Sequence, residues 1–402
     1  MIRTLMAATA LATLASPAFA ETITVAPGDG AQERLQEALI LAEGGDEIVL
    51  EAGRYALTDG LSLDVDGVTL RGAGMHASVL DFSGQEGAGE GLLVTSDGVT
   101  LRDFGMENPK GDGIKSKGAD NIVYHAVRVT WTNGPAATNG AYGIYPVEST
   151  GILIDGVEVT GASDAGIYVG QSKSITVRNS MASFNVAGIE IENSRDALVS
   201  RNYVTGNTGG ILVFDLPGLP VMGGGQVILR ENMVVRNNTD NFAPEGNIVA
   251  SVPRGVGIMV MANEKVWIDD NTLLDNDTSQ IMVIAYTQEF DDDRYNPYPR
   301  EVVIADAIDG EGGANPDLDG IAPVLAAFGG TLPPVMWDGL SEPDGPPALL
   351  SHPDTQGWSL NLTELGQPVT AARPAPLDVP AYGQGWDSET FGAPEELEAR
   401  LK

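Results

Sequence analysis

A glycine followed by isoleucine, one variable residue and usually a second apolar residue recurs along the chain. It stands at Gly113-Ile114-Lys115-Ser116, Gly143-Ile144-Tyr145-Pro146, Gly166-Ile167-Tyr168-Val169, Gly188-Ile189-Glu190-Ile191, Gly210-Ile211-Leu212-Val213 and Gly257-Ile258-Met259-Val260. From Gly143 to Gly210 the glycines are spaced by 23, 22 and 22 residues. Each phrase is followed by a second run that alternates apolar with polar, as in Ile175-Thr176-Val177-Arg178-Asn179 and Val227-Ile228-Leu229-Arg230-Glu231-Asn232. Alternation of period two predicts strands. A unit of about 22 residues made of short β-branched strands and glycine turns predicts stacked coils. The expected fold class is therefore all-β, a single-stranded right-handed parallel β-helix. Leucine-rich repeats would show a leucine consensus and propeller blades a period of about 40 to 45 residues. Here isoleucine and valine dominate, and helix-forming segments are missing between the strands.

The ends of such a stack need covers. Leu35, Ala38, Leu39 and Ala42 fall at i, i+3, i+4 and i+7, which predicts an amphipathic helix over 31–42 as a lid. From Asp46 to about Ala307 there is room for roughly ten coils, a rod of about 48 Å at one strand spacing per coil. Asn179, Asn202, Asn232 and Asn271 end successive second strands, and Asn185 and Asn207 each precede a Gly-Ile by three residues. Both sets predict amide ladders at corners of the stack. Beyond Asp309 glycine, proline and aspartate replace the repeat. The expected division is a signal segment over 1–20, the β-helix with its cap over 21–308 and a capping tail over 309–402. In that tail Trp337, Trp358, Trp386 and Phe391 call for burial.

Insertions cluster around the Gly-Ile strands: 131–142 and 239–256 come just before one, 216–226 and 287–300 just after one. Stacking would line them along both borders of one sheet and leave a groove between. With each isoleucine inward, the outward column reads Lys115, Tyr145, Tyr168, Glu190, Leu212, Met259, and its neighbour Lys117, Val147, Gly170, Glu192, Phe214, Met261. Tyr145 and Tyr168, about 4.8 Å apart, would offer flat faces to a sugar or peptide. Glu190 and Glu192, about 7 Å apart along one strand, suit acid and base roles in hydrolysis. Lys115 or Tyr145 could take the proton beside a sugar carboxylate. The candidate catalytic residues are Lys115, Tyr145, Glu190 and Glu192. Candidate ligand contacts are Lys117, Tyr168, Phe214 and, from the bordering loops, Trp131 and Arg254. An ordinary solvated face is the competing reading.

Composition narrows the partners. A formal charge of -34 repels nucleic acid and anionic lipid, and it disfavours polyuronates unless a cation intervenes. Residues 1–20 read as a secretory signal, with Arg3, an apolar run through Leu14 and Ala18-Phe19-Ala20 at the cleavage site. The expected location is the periplasm or the medium. No second apolar stretch approaches the ~20 residues of a membrane span. With no cysteine and three histidines, zinc or copper is not expected. His125 falls in another outward column, Arg102, His125, Asp155, Arg178, Arg201, Glu231, Asp270, which looks like a series of cross-strand charge pairs. Calcium is the one cofactor expectation: Asn315, Asp317 and Asp319 open like a calcium loop, although Ala326 stands where its glutamate belongs.

The coils resemble the repeat of the pectate-lyase-like superfamily. Stretches such as Tyr142-Gly143-Ile144-Tyr145-Pro146-Val147 and Gly257-Ile258-Met259-Val260-Met261-Ala262-Asn263 are similar to an exported family of bacterial parallel β-helix repeat proteins. That resemblance implies a second exported protein as a partner. Pectate lyases and periplasmic alginate epimerases share the fold, but no Asp-Pro-His-Asp stretch is present. Trp267-Ile268-Asp269-Asp270 has aspartate where pectate lyases carry histidine. Two function classes stay open. One binds or processes a polysaccharide or envelope glycan in the groove, as a lyase, epimerase or hydrolase if it is an enzyme. The other is a non-catalytic envelope scaffold that docks a second exported protein.

Overall fold

The computed structural model describes residues 20–402 apart from 88, 307, 309–311 and 384–390. Nearly all of the signal segment, and Trp386, lie outside the described residues. Among the described residues the strands make three sheets, two of twelve strands and one of nine, and successive coils add one strand to each in turn. Pairing within the stack is parallel, and the Gly-Ile strands Tyr142–Val147, Ala165–Gly170, Ala187–Glu192, Gly209–Phe214 and Val256–Met261 lie side by side in the second sheet. The register stacks Ile144, Ile167, Ile189, Ile211, Ile258 and Ile281 in one inward file, every member fully buried. Each such isoleucine stabilises the rod by about 1.5–3 kcal/mol relative to exposure.

Helix α1 (Ala31–Leu41) buries Ala31, Leu35, Ala38 and Leu39 over the first coil, as its spacing predicts. The stack begins one strand earlier than expected, because Thr22–Val25 pairs with Glu47–Leu50 ahead of the lid. Ten strands of the first sheet run from Glu47–Leu50 to Val302–Ile304, matching the expected coil number.

The tail departs from expectation. Val335–Trp337, Leu349–Ser351 and Gly357–Ser359 add further parallel strands, so the stack continues past residue 309 without the Gly-Ile phrase. An antiparallel pairing of Trp358 and Ser359 with Pro376 and Ala375 then closes the edge of the second sheet. Helix α2 (Ala322–Ala327) lies in the intervening loop. Helix α3 (Glu395–Ala399) returns to the middle of the rod, where Leu397 packs on Val123 and Leu153. Glu398 there accepts two bonds from Arg178, at 2.6 and 2.7 Å. The chain's end straps the first sheet.

Both asparagine ladders exist. At one corner Asn202 Nδ2 donates to Asn232 Oδ1 (3.0 Å) and Asn232 Nδ2 to Asn271 Oδ1 (2.9 Å). Asn179 does not join them. It is exposed with φ 52° and donates to Asp155, while Ser180 occupies the ladder position and donates its amide N–H to Asn202 Oδ1. At the second corner Asn185, Asn207, Asn237 and Asn276 are linked by amide-to-amide bonds of 2.9–3.1 Å. The same one-residue slip affects the charged column. Its register runs Arg102, His125, Asp155, Arg178, Ser200, Arg230, Asp269, so Arg230 meets Asp269 at 2.5 Å. Arg201 and Glu231 still approach to 3.6 Å beside it.

Asn207 is fully buried and makes bonds on both sides of its amide. Asn207→Ala should cost about 3 kcal/mol in urea unfolding and exposed Asn179→Ala less than about 1 kcal/mol. Equal losses would contradict the ladder assignment.

Candidate functional site

The outward face of the second sheet holds the candidate residues, and its shape differs from an open groove. Lys115 stands at the exposed end, 3.3 Å from Glu90 and 3.7 Å from Asp112, with its ammonium 4.8 Å from the centre of the Tyr145 ring. Lys117 points to solvent and pairs with Glu148 at 3.6 Å. One coil on, Tyr145 and Tyr168 are neighbours, with ring centres 5.0 Å apart at 86°. They meet edge to face, so the expected pair of flat stacking surfaces is not formed. Tyr142 packs against both, at 4.5 and 4.6 Å. Tyr168 is buried because its ring lies down over Gly170, where a Cβ would come within 2.4 Å of the ring. From there its hydroxyl donates to Glu192 Oε1 at 2.6 Å.

The next coil carries Glu190 and Glu192, and both are buried instead of solvated. Glu190 is 1% exposed, and among the described residues neither of its carboxylate oxygens has a hydrogen-bond partner. Asp164, on the turn before the Ala165–Gly170 strand, joins them. Its Oδ2 accepts from Tyr142 Oη (3.4 Å) and from Asn247 Nδ2 (3.2 Å), and among the described residues its Oδ1 has no partner. Asn247 belongs to the 239–252 insertion, which folds over the sheet and lays Phe242, Ala243 and Ile248 against it. The loops that were expected to border a groove therefore roof part of it.

Three expected contacts lie elsewhere. Trp131 is buried in the interior cluster and donates its indole N–H to Pro109 O at 2.8 Å, so it closes the core. Arg254 anchors the base of its loop between Asp240 (3.5 Å) and Asp277 (3.6 Å). Phe214 is 1% exposed, one register step past Glu192 and facing an apolar cavity. In the 315–320 segment Asp317 is engaged in holding the neighbouring loops together. Asp317 accepts the Arg254 amide (3.2 Å) and donates its own amide to Thr278 Oγ1 (2.8 Å). Among the described residues no three His, Cys, Asp or Glu side chains converge to hold a metal ion.

Residues 66–218 match the family description "Right handed beta helix region". Among solved structures, the A-module of mannuronan C-5 epimerase AlgE4 from Azotobacter vinelandii is similar over 82% of this chain and 94% of its own. The identity is 14% and the TM-score 0.53. A polygalacturonase from Erwinia carotovora subsp. carotovora is similar over 86% of this chain and 97% of its own, at 13% identity and a TM-score of 0.52. The chain is a right-handed parallel β-helix repeat protein. No curated protein matches it by sequence. At these identities the two structures share the β-helix with this chain and nothing finer.

The carboxylate cluster of this β-helix repeat protein has strongly shifted proton affinities. Burial raises the proton affinity of Glu190 well above the carboxylate range, and the charges of Asp164 and Glu192 push it further. Burial likewise raises Asp164, with Glu192 adding to it, and raises Glu192 against the opposing effect of the Tyr168 hydroxyl. Around them burial lifts Asp112 and Asp215 to about 6. The Tyr145 phenol is pushed up to about 12 by burial and by Asp112. It stays protonated at neutral pH, which suits a hydrogen-bond donor and not the base role first considered.

Asp112, Tyr142, Asp164 and Asn247 were not among the sequence candidates. Asp112 and Tyr142 each immediately precede the glycine of a Gly-Ile phrase, where strict alternation would point them inward, but the glycine interrupts it and they face outward. Asp164 and Asn247 come together only because an insertion 83 residues away folds back, and no local pattern marks that.

Glu190 binds its proton more tightly in the folded chain than in the unfolded one. The folded state is favoured while the proton is on, and stability falls as pH rises from the ordinary 4.5 through the folded value. Glu190→Gln removes that burden, so it should melt above the wild type at about pH 8, with the difference narrowing towards about pH 5. A variant that melts lower at the higher pH would show that the carboxylate carries no burial cost.

Proposed function

We propose that the chain is an exported glycan-active protein that hydrolyses an extended, largely neutral polysaccharide by acid–base chemistry at Glu190 and Glu192. The observation that carries this reading is Glu190. A carboxyl buried beside two other carboxyls, with no partner for either oxygen among the described residues, opposes folding and is characteristic of sites that need a shifted proton affinity. In this reading Glu190 is the proton donor to the leaving oxygen. Glu192, held by the Tyr168 hydroxyl, is the ionised partner. Asp164 raises the proton affinity of Glu190, and Asn247 ties the roofing loop to Asp164. The glycan enters from the exposed end along Lys115, Tyr145 and Tyr142, and the 239–252 loop lifts to admit it.

The two similar structures, an epimerase of mannuronan and a polygalacturonase, supply a β-helix precedent for polysaccharide chemistry. A neutral substrate fits this chain better than a uronate. Lys115 is the cation nearest Tyr145 and is already shared by Glu90 and Asp112, while the net charge of -34 repels polyanions. The signal-like segment over 1–20 supports export to the periplasm or medium. Among the described residues no helix is long and apolar enough to cross a membrane.

A second reading draws on the third sheet. Met181, Tyr203 and Met233 stack on the third sheet, with Met181 and Met233 exposed and Phe184 and Leu274 exposed nearby. An apolar stripe of this kind suits a scaffold that docks a second exported protein.

Reducing-end release from a panel of neutral and uronate polysaccharides separates the readings. The wild type should liberate ends from a neutral glycan, and Glu190→Gln should lose about 100-fold or more of that rate while remaining folded. Silence across the panel, together with stable capture of an envelope protein that Met233→Asp abolishes, would replace catalysis with the scaffold.

A further inference from the structure

Past Glu192 the outward face changes character within one coil. The column that reads Tyr168 and Glu190 continues as Leu212, Met259, Met282 and Met336, and the neighbouring column passes from Glu192 to Phe214 and Met261. At about 4.8 Å per coil this apolar floor extends roughly 15–20 Å beyond the carboxyls. It is covered by Ile248 and Val252 from the 239–252 loop and by Leu360 and Leu362 from the tail. A cavity of about 290 Å³ lies between floor and cover. Its mouth is marked by the exposed Ser251, Thr287 and Gln288. Protein interiors rarely keep voids much larger than a water. An engineered apolar cavity of about 150 Å³ accepts benzene, so this one holds roughly twice that, about the bulk of an eight- to ten-carbon chain.

We propose that this cavity is a binding site for an aliphatic chain carried by the glycan, so that the preferred ligand is an acylated or alkylated sugar. The inference rests on the glycan reading of the adjacent carboxyls. Three features favour a flexible chain. Four methionines, Met259, Met261, Met282 and Met336, line the floor with unbranched, adaptable side chains. The polar and apolar parts of the face are contiguous, because Phe214 lies in register beside Glu192. One loop also serves both parts: Asn247 bonds Asp164, and the next residue, Ile248, lines the cavity. Sugar and chain would thus be gripped by a single closing segment.

Calorimetric titration with octyl β-D-glucoside below its micelle-forming concentration, methyl β-D-glucoside and 1-octanol tests the assignment. Octyl glucoside should bind about 100-fold more tightly than methyl glucoside, half on a logarithmic scale of what seven fully buried methylenes would contribute. Its binding should carry a negative heat-capacity change. Ile248→Trp, which fills the mouth from a partly exposed loop position, should abolish the gain. Met282→Phe should reduce it, and either variant suffices if the other does not fold. Equal affinity for the octyl and methyl glucosides would overturn the chain site. Octanol binding as tightly as octyl glucoside, with no effect of Tyr145→Ala, would overturn the glycan reading and leave an apolar site alone.

Discussion

The parallel backbone ladder between coils is the constraint from which the rest follows. It holds equivalent residues of neighbouring coils about one strand spacing apart, so a side chain's environment is decided by residues some 22 positions before and after it. Inward, this turns a repeated isoleucine into a continuous core file. Outward, it stacks whatever the repeat leaves variable: Tyr168 beside Glu190 and Glu190 beside Leu212 in one column, Gly170 beside Glu192 and Glu192 beside Phe214 in the next. Gly170 lets the Tyr168 ring lie across its strand, and that posture brings the hydroxyl to Glu192. One small residue thus decides the partner of one carboxylate.

The same ladder governs charge on two faces with opposite results. On the first sheet each acid of the column has a basic neighbour: Asp155 accepts from Arg178 and lies 3.4 Å from His125, and Arg230 pairs with Asp269. There burial would raise Asp155, but its contacts with His125, Asn179 and Arg178 hold it at about 2, below its ordinary value. On the second sheet three carboxyls gather with no cation paired to them among the described residues, and burial pushes all three upward. A fold that pairs charges along one face has no topological reason to leave them unpaired on another. The contrast within one molecule supports a chemical role for the second face more strongly than the carboxyls would by themselves.

What the sequence made legible was whatever repeats. The phrase around each isoleucine located the strands, the coil number and the outward columns, and the corner asparagines announced their ladders. The slips came where the period is imperfect. Asn179 looks like a ladder member, but Ser180 has the position, because Arg178-Asn179-Ser180 is one residue out of step with Arg201-Asn202. The last coils were missed for a related reason. Val335–Trp337 and Gly357–Ser359 pair in the stack without the Gly-Ile phrase, so neither composition nor spacing distinguishes them from a tail.

The candidate site was legible only as a list of residues, because its environment comes from segments outside the repeat. Glu190 and Glu192 on an uncovered sheet would be solvated acids with ordinary proton affinity. The 239–252 loop, which reaches Asp164 through Asn247, removes them from water and thereby gives them their shifted behaviour. The tail does the equivalent for the apolar half, since Leu360 and Leu362 close a cavity whose floor, Met336 apart, was set by coils more than 75 residues earlier. In a solenoid the repeat can supply position to the ångström, but desolvation must come from what interrupts it. Insertions bordering a column of unpaired polar side chains are therefore where chemistry on such a rod should be sought.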